Sequence, residues 1–196
     1  GEVQRLPFGE DVTNGLTRDQ LTRLTREVFR TRKVANEESV GVYLDQAFEA
    51  LRTLSEQSRH LARSSVCSTR GLCVRVVSTH MASDSKARGT NVFCYRITLH
   101  NQGEDTVKLM GREWKILDGN GQIASTVPKH SPGVIGQHPE LRPGECFEYH
   151  SGCDVHTREG TMKGSFQMRV VNSASSTEEN GIEFDAVVAP FALIPA

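Results

Sequence analysis

No run of apolar residues approaches the ~18 that a membrane-spanning helix needs, so no membrane span is expected. Net charge is almost absent, formally −1 at pH 7. Residues 1–70 sum to +1 and residues 71–196 to −2. There is no long basic run, which removes the electrostatic footprint of a strong nucleic-acid binder. Cysteine pairs of the CxxC type are missing too. Cys67, Cys73, Cys94, Cys146 and Cys153 therefore do not read as a structural zinc site, and no metal or other cofactor is expected. An odd number of thiols leaves at least one free within a single chain, and their scatter fits a reducing, intracellular compartment. Whether that compartment is the cytoplasm or an organelle stays open. Aromatic residues are scarce, at 6% of the chain, while glycine is plentiful, at 17 residues. That balance suits many turns around a modest core better than one large uninterrupted enzyme fold. No signal-peptide pattern follows Gly1-Glu2-Val3.

What is present divides into a helical part and a β part. Residues 1–15 read as a tether. Thr17 and Gln20 make a capping box, flanked by Leu16 and Leu21 at the positions of a hydrophobic staple. Leu21, Leu24 and Val28 then recur on one face, with Arg23, Arg26, Glu27 and Arg30 opposite. This predicts a helix over residues 17–33. A second helix is predicted over 38–63, because Leu44, Ala47, Phe48, Leu51, Leu54 and Leu61 line one stripe. The short link at Val34–Glu37 predicts an antiparallel hairpin spanning residues 16–66. Two helices with narrow stripes cannot bury all these side chains against each other. The stripe is expected to pack on a second surface, either the rest of the chain or a partner.

The period changes at Gly71. Leu72, Val74 and Val76 alternate, as do Phe93, Tyr95, Ile97 and Leu99. Val107, Leu109, Trp114 and Ile116 follow. Asp118-Gly-Asn-Gly121 is a hairpin turn signal, with a return strand expected over Gln122–Val127. Pro128–Gly144 reads as a loop-rich stretch. Phe147 and Tyr149 mark another strand, Met162, Phe166, Met168 and Val170 the next, and Ile182, Phe184 and Ala186 the last. Seven or eight short strands separated by turns predict an antiparallel β-sandwich or barrel over residues 71–196.

Within this stretch the run Gly133-Val-Ile-Gly136-Gln137-His138-Pro139-Glu140-Leu141-Arg142-Pro143-Gly144-Glu145 continues as Phe147-Glu-Tyr149, Ser151-Gly152 and Thr157-Arg-Glu-Gly160-Thr-Met162-Lys-Gly164-Ser-Phe166-Gln-Met168. Together with Phe93-Cys-Tyr95-Arg-Ile97-Thr-Leu99-His-Asn101 and Arg112-Glu-Trp114-Lys-Ile116-Leu-Asp118-Gly-Asn-Gly121, it resembles the ApaG domain family. The resemblance covers about residues 72–196 and leaves the helical segment without a family. It implies an immunoglobulin-like or fibronectin-III-like sandwich. It also implies an interaction module, because eukaryotic relatives include an F-box substrate-recognition protein and a DNA polymerase delta-interacting protein. The family's GxGxxG-like element reads Ser131-Pro-Gly133-Val-Ile-Gly136 here, with serine in place of the first glycine.

That element is not a dinucleotide fingerprint, which needs a parallel strand before it and a helix opening inside it. Backbone amides at Gly133, Val134, Ile135 and Gly136, with Lys129 or Arg112 beside them, are a candidate anion nest. The competing reading is that the glycines only shape a surface loop. His130, His138, His150 and His156 cluster near Cys146, Cys153 and Asp154, but at no metal-site spacing. A Cys153–His156 nucleophile pair lacks an oriented base and an oxyanion site. Trp114, Met162, Phe166 and Met168 read as core.

These observations predict a non-catalytic protein-interaction module, a component or adaptor of a larger assembly, with Phe29, Leu44, Phe48, Leu51 and Leu54 as partner-binding candidates and self-association as one form of partnership. A pyrophosphate or nucleotide sensor using loop 129–136 is the second expectation. A component of a ribonucleoprotein, touching RNA weakly or indirectly through Arg18, Arg23, Arg26, Arg30, Arg32 and Lys33, is the third.

Overall fold

The computed structural model describes residues 18–31, 37–172 and 181–195. The expected tether and helix link and the polar stretch after Asn172 fall on residues 1–17, 32–36 and 173–180, which lie outside the described residues. The chain forms two compact units, residues 1–53 and 54–196.

In the first unit, helix α1 spans Arg18–Thr31. Asp19 in its first turn and Arg30 in its last complement the helix dipole. Helix α2 spans Glu37–Ala62 and continues into the second unit. Glu49 pairs with Arg52 at 3.1 Å on its polar side. Along the apolar side Leu44, Phe48, Leu51 and Leu54 are all more than half exposed.

The second unit is a two-sheet sandwich. Strand β1 (Ser64–Thr69), β2 (Leu72–His80), β3 (Asn91–Asn101) and β7 (Cys146–Val155) form one sheet in the order β1-β2-β3-β7. The other runs β5-β4-β8-β9, with β4 at Thr106–Asp118, β5 at Ile123–Pro132, β8 at Gly160–Asn172 and β9 at Glu183–Leu193. A two-residue β6, Glu140–Leu141, pairs with β4. Every pair is antiparallel. A short helix α3, Ala82–Arg88, joins β2 to β3.

Three boundaries differ from the sequence expectation. The sandwich starts at Ser64, seven residues before Gly71, because β1 pairs with β2 along its whole length through a tight turn at Arg70-Gly71. Its sequence, Ser-Ser-Val-Cys-Ser-Thr, has too few apolar residues to show alternation. The return strand β5 runs on to Pro132 instead of stopping at Val127. It is an edge strand, where Pro128 and Pro132 cost no ladder hydrogen bonds. Lys129 therefore sits on a strand and not in a loop. Helix α3, which buries none of its residues, left no apolar period to read.

The core is the interior between the sheets. Phe93, Ile97, Leu99, Leu109, Phe166, Met162, Met168 and Leu193 are fully enclosed, and Trp114 is nearly so. Trp114 meets Phe166 edge-on at 5.5 Å, and Tyr149 meets Phe166 likewise at 6.4 Å. Each such side chain contributes about 1.5–3 kcal/mol by leaving water. Gly164 makes room for the indole: a Cβ there would overlap the Glu113 carbonyl oxygen and the Trp114 ring.

The two sides of the sandwich differ. On the β1/β9 side the sheets are stitched together. Val187 N–H donates to Thr69 Oγ1 at 3.2 Å, and Ser78 Oγ donates to the Ala192 carbonyl at 2.7 Å. On the β5/β7 side they part.

Candidate functional site: the cleft at the open edge

Alternation on β7 turns Phe147, Tyr149, Ser151, Cys153 and Val155 toward the interior. The inward face changes from aromatic to small and polar halfway along. On β4, Arg112, Trp114, Ile116 and Asp118 share a face by the same two-residue period. Where small residues of β7 oppose the edge strand β5, the sheets cannot close on each other. The result is a cleft of about 630 Å³ lined by residues of β3, β4, β5, β7 and β8 and by Val134 and Ile135. That volume lies in the range of small-molecule sites.

One end of the cleft is set by Arg112. Its Nη1 donates to the Pro132 carbonyl at 2.9 Å and also to the carbonyl of Gly133. The adjoining loop closes as a tight hairpin. Val134 N–H donates to Gln137 O at 2.9 Å, and Gln137 N–H to Val134 O at 2.7 Å. Both central residues, Ile135 and Gly136, have positive φ, at 43° and 76°, which is the turn geometry that matches strand twist. Asp118 and Asp154 stand at the other end of the cleft with His156. Asp118 Oδ1 accepts from the backbone N–H groups of Asn120 and Gln122, at 2.9 and 2.8 Å.

Two phenols line the same cleft, both within reach of the Arg112 charge. Tyr95 is 5% exposed and Tyr149 4%. Burial pushes both upward, so each stays protonated and can donate. Ser151 and the nearby Arg112 charge pull against burial at Tyr95, and the Arg112 charge does so at Tyr149. The Tyr149 hydroxyl is enclosed and has no hydrogen-bond partner among the described residues. Cys153 beside them is a poor nucleophile, because burial, with the Asp154 charge adding to it, pushes its thiol up to about 12.

The structure brings only part of the predicted anion site together. Arg112, Val134 and Ile135 line the cleft. Lys129 does not; its ammonium pairs with Asp185, whose carboxylate also accepts from Gln167 Nε2. The nest amides are largely spent. Gly133 N–H donates to the Met110 carbonyl at 3.3 Å, and Val134 N–H closes the hairpin. A tight turn uses its amides to shut itself, so those of Ile135 and Gly136 are what remains at the tip.

The histidines are dispersed in local bonds. His138 Nδ1 meets the Leu109 carbonyl at 3.2 Å, and His156 Nδ1 lies 3.5 Å from Thr90 Oγ1. No group of His, Cys, Asp and Glu that could hold a metal occurs among the described residues. All five cysteines are free. No helix among the described residues is long and apolar enough to cross a membrane. Phe29, a partner candidate on α1, is 73% exposed. Sequence reasoning missed Tyr149 and Ser151 as cleft residues, and also Asp154, which lies on the other face of β7 near the cleft's far end. The available signal was the switch from aromatic to small polar residues on the inward face of β7.

The ApaG domain pattern matches residues 81–170. Protein ApaG of Anaeromyxobacter sp. (strain K) is 40% identical over 126 residues, which are 64% of this chain and 91% of that protein. Protein ApaG of Stenotrophomonas maltophilia (strain K279a) is 42% identical over 105 residues, 54% of this chain and 74% of that protein. Among solved structures, the crystal structure of an ApaA protein from Bordetella pertussis is 32% identical. The match covers 67% of this chain and 94% of that one, with a TM-score of 0.54. The order of motifs, the two antiparallel sheets and these matches agree: the chain belongs to the ApaG domain family.

Proposed function

We propose that the chain is a non-catalytic protein-interaction module, a component of a larger assembly, that docks a helix of its partner on α2. The observation that carries this reading is the exposed face of α2. Val40, Leu44, Ala47, Leu51, Leu54, Ser58 and Leu61 recur at alternating steps of four and three, the spacing of a coiled-coil seam. The large apolar members are between 44% and 71% exposed. Leaving such a strip in water costs about 25 cal/mol for each Å², and a strip this continuous marks an interaction surface.

The spacing supports another helix as the occupant, because a helix presents knobs at the same interval. The flanks narrow it further. Tyr43, Phe48, Ala50, Ser55 and Gln57 border the seam without charge, while Asp45, Glu49, Arg52, Glu56 and Arg59 lie on the opposite side. The partner helix is therefore expected to be apolar at its seam and uncharged at its borders.

A photo-crosslinking residue at Leu51, in the protein within its native source, tests this. The expected product joins a helical segment of a partner carrying the same four-three repeat, and Phe48→Asp abolishes it while the sandwich stays folded. Adducts confined to a second copy of the chain, seen also as dimers by sedimentation, would make the module self-associating instead. Adducts only to non-helical surfaces, or loss of the β-sheet signal in Phe48→Asp, would overturn the reading.

A further inference from the structure

The cleft carries an observation that the helical face does not explain. Tyr149 puts a hydroxyl into a place without water-facing surface and without a partner among the described residues. Buried polar groups are almost always paired, and an unpaired one costs free energy. The hydroxyl is a donor, since burial keeps the phenol protonated. The phenol can accept as well as donate, and its O–H, which needs an acceptor, is unused among the described residues. Arg112 lines the same cleft. A guanidinium has five N–H donors and a permanent positive charge. Nη1 holds the carbonyls of Pro132 and Gly133, which fixes the plane of the group. Nη2 and Nε make no hydrogen bond to the described residues. An oriented cation and an unused donor lining one cavity suit an anionic oxygen acceptor.

The rest of the cleft limits what bears that group. Trp114, Ile116 and Met162 supply apolar surface along it. Six residues of strand separate Arg112 from Asp118, about 20 Å. Asp118 and Asp154 make that far end negative, so a second anionic group there would be repelled.

We propose that the Arg112–Tyr149 end of the cleft binds the carboxylate or phosphate of a small organic ligand whose apolar body lies along Trp114 and whose other end is neutral or cationic. This site differs from an anion nest built on the Gly133–Gly136 amides, and it disfavours linear polyphosphates, which carry charge at both ends. It stands independently of the α2 interface.

The test uses the full chain and three probes of matched body: 3-phenylpropionate, its amide 3-phenylpropionamide, and phenyl phosphate. Binding is followed by amide NMR shifts. The acid, the phosphate ester or both are expected to shift residues of β4 and β7 at the Arg112–Tyr149 end, and which of the two binds tighter names the source of the anion. The amide is expected to bind at least tenfold more weakly than the acid. Pyrophosphate is expected to bind no tighter than inorganic phosphate. Tyr149→Phe should weaken the anionic probes at least tenfold while leaving the urea midpoint unchanged or raised, because it removes an unpaired hydroxyl. Arg112→Lys, which keeps the charge but loses the fork, should weaken them as well. Equal binding of acid and amide, or no shift with any probe at millimolar concentration, would overturn the proposal. So would a lowered urea midpoint in Tyr149→Phe, which would reveal an internal partner such as an ordered water. Retained crosslinking through α2 in Tyr149→Phe would show that the two surfaces are separate.

Discussion

On β8, Met162, Phe166, Met168 and Val170 are spaced for a strand, and each is at most 1% exposed. On α2, Leu44, Leu51 and Leu54 are spaced just as regularly for a helix, and each is more than 50% exposed. Both patterns are periodic and apolar, yet their fates are opposite. A sheet face needs a second sheet, and this chain contains one. A helical seam needs a second seam. Periodicity therefore states that a face must be covered, while the supply of a matching face decides whether the cover lies in the same molecule.

The contrast is broken most severely from the buried side. Phe166→Ala removes the ring that both Trp114 and Tyr149 meet edge-on. The loss should be about 3–5 kcal/mol, read as a lower urea midpoint of the sandwich.

That core was legible because it obeys a short period over several residues in succession. Phe93–Leu99 and Met162–Val170 alternate so plainly that both strands, and the two-sheet architecture, follow from them. β1 was not legible, since a polar edge strand has little to bury. The extension of β5 was hidden by prolines that an edge tolerates. The candidate site was half legible. Arg112, Val134 and Ile135 were picked out by a glycine motif and do line the cleft. Lys129 was placed beside them by nearness in sequence, whereas strand geometry sends its ammonium to Asp185. Tyr149 was read only as a strand marker. Nothing in the order of residues shows that a hydroxyl will be enclosed without a partner; that depends on how two sheets part.

The exposed side sharpens the comparison. Phe48→Asp should change the stability of the isolated chain by no more than about 0.5 kcal/mol, since an exposed position has little packing to lose. A urea titration with a sandwich-specific probe such as Trp114 fluorescence measures it. A loss of several kcal/mol would mean that both patterns are core.

The smallest effect belongs to the surface pair. Lys129 holds the Asp185 carboxyl below its ordinary value by a hydrogen bond, with a second from Gln167. Asp185 in turn raises Lys129. A depressed carboxyl contributes stability above its unfolded value and loses it as pH falls through the folded one. A raised ammonium contributes below its unfolded value and loses it as pH rises through the folded one. The pair therefore acts across the neutral range and fades at both extremes. Urea midpoints of the parent chain and Asp185→Asn, followed with pH, should converge toward acid. Exposure of both side chains keeps the difference small.

Ile135 carries a different kind of consequence. It lines the cleft and is 56% exposed, yet its φ is 43°. A β-branched residue in the left-handed region gives up about 1–2 kcal/mol. Asn or Gly would sit there with less strain, so Ile135→Asn should raise the melting temperature. The same change would strip an apolar lip from the mouth of the cleft. At this one residue, selection for shelf life and selection for grip on a ligand would choose different amino acids.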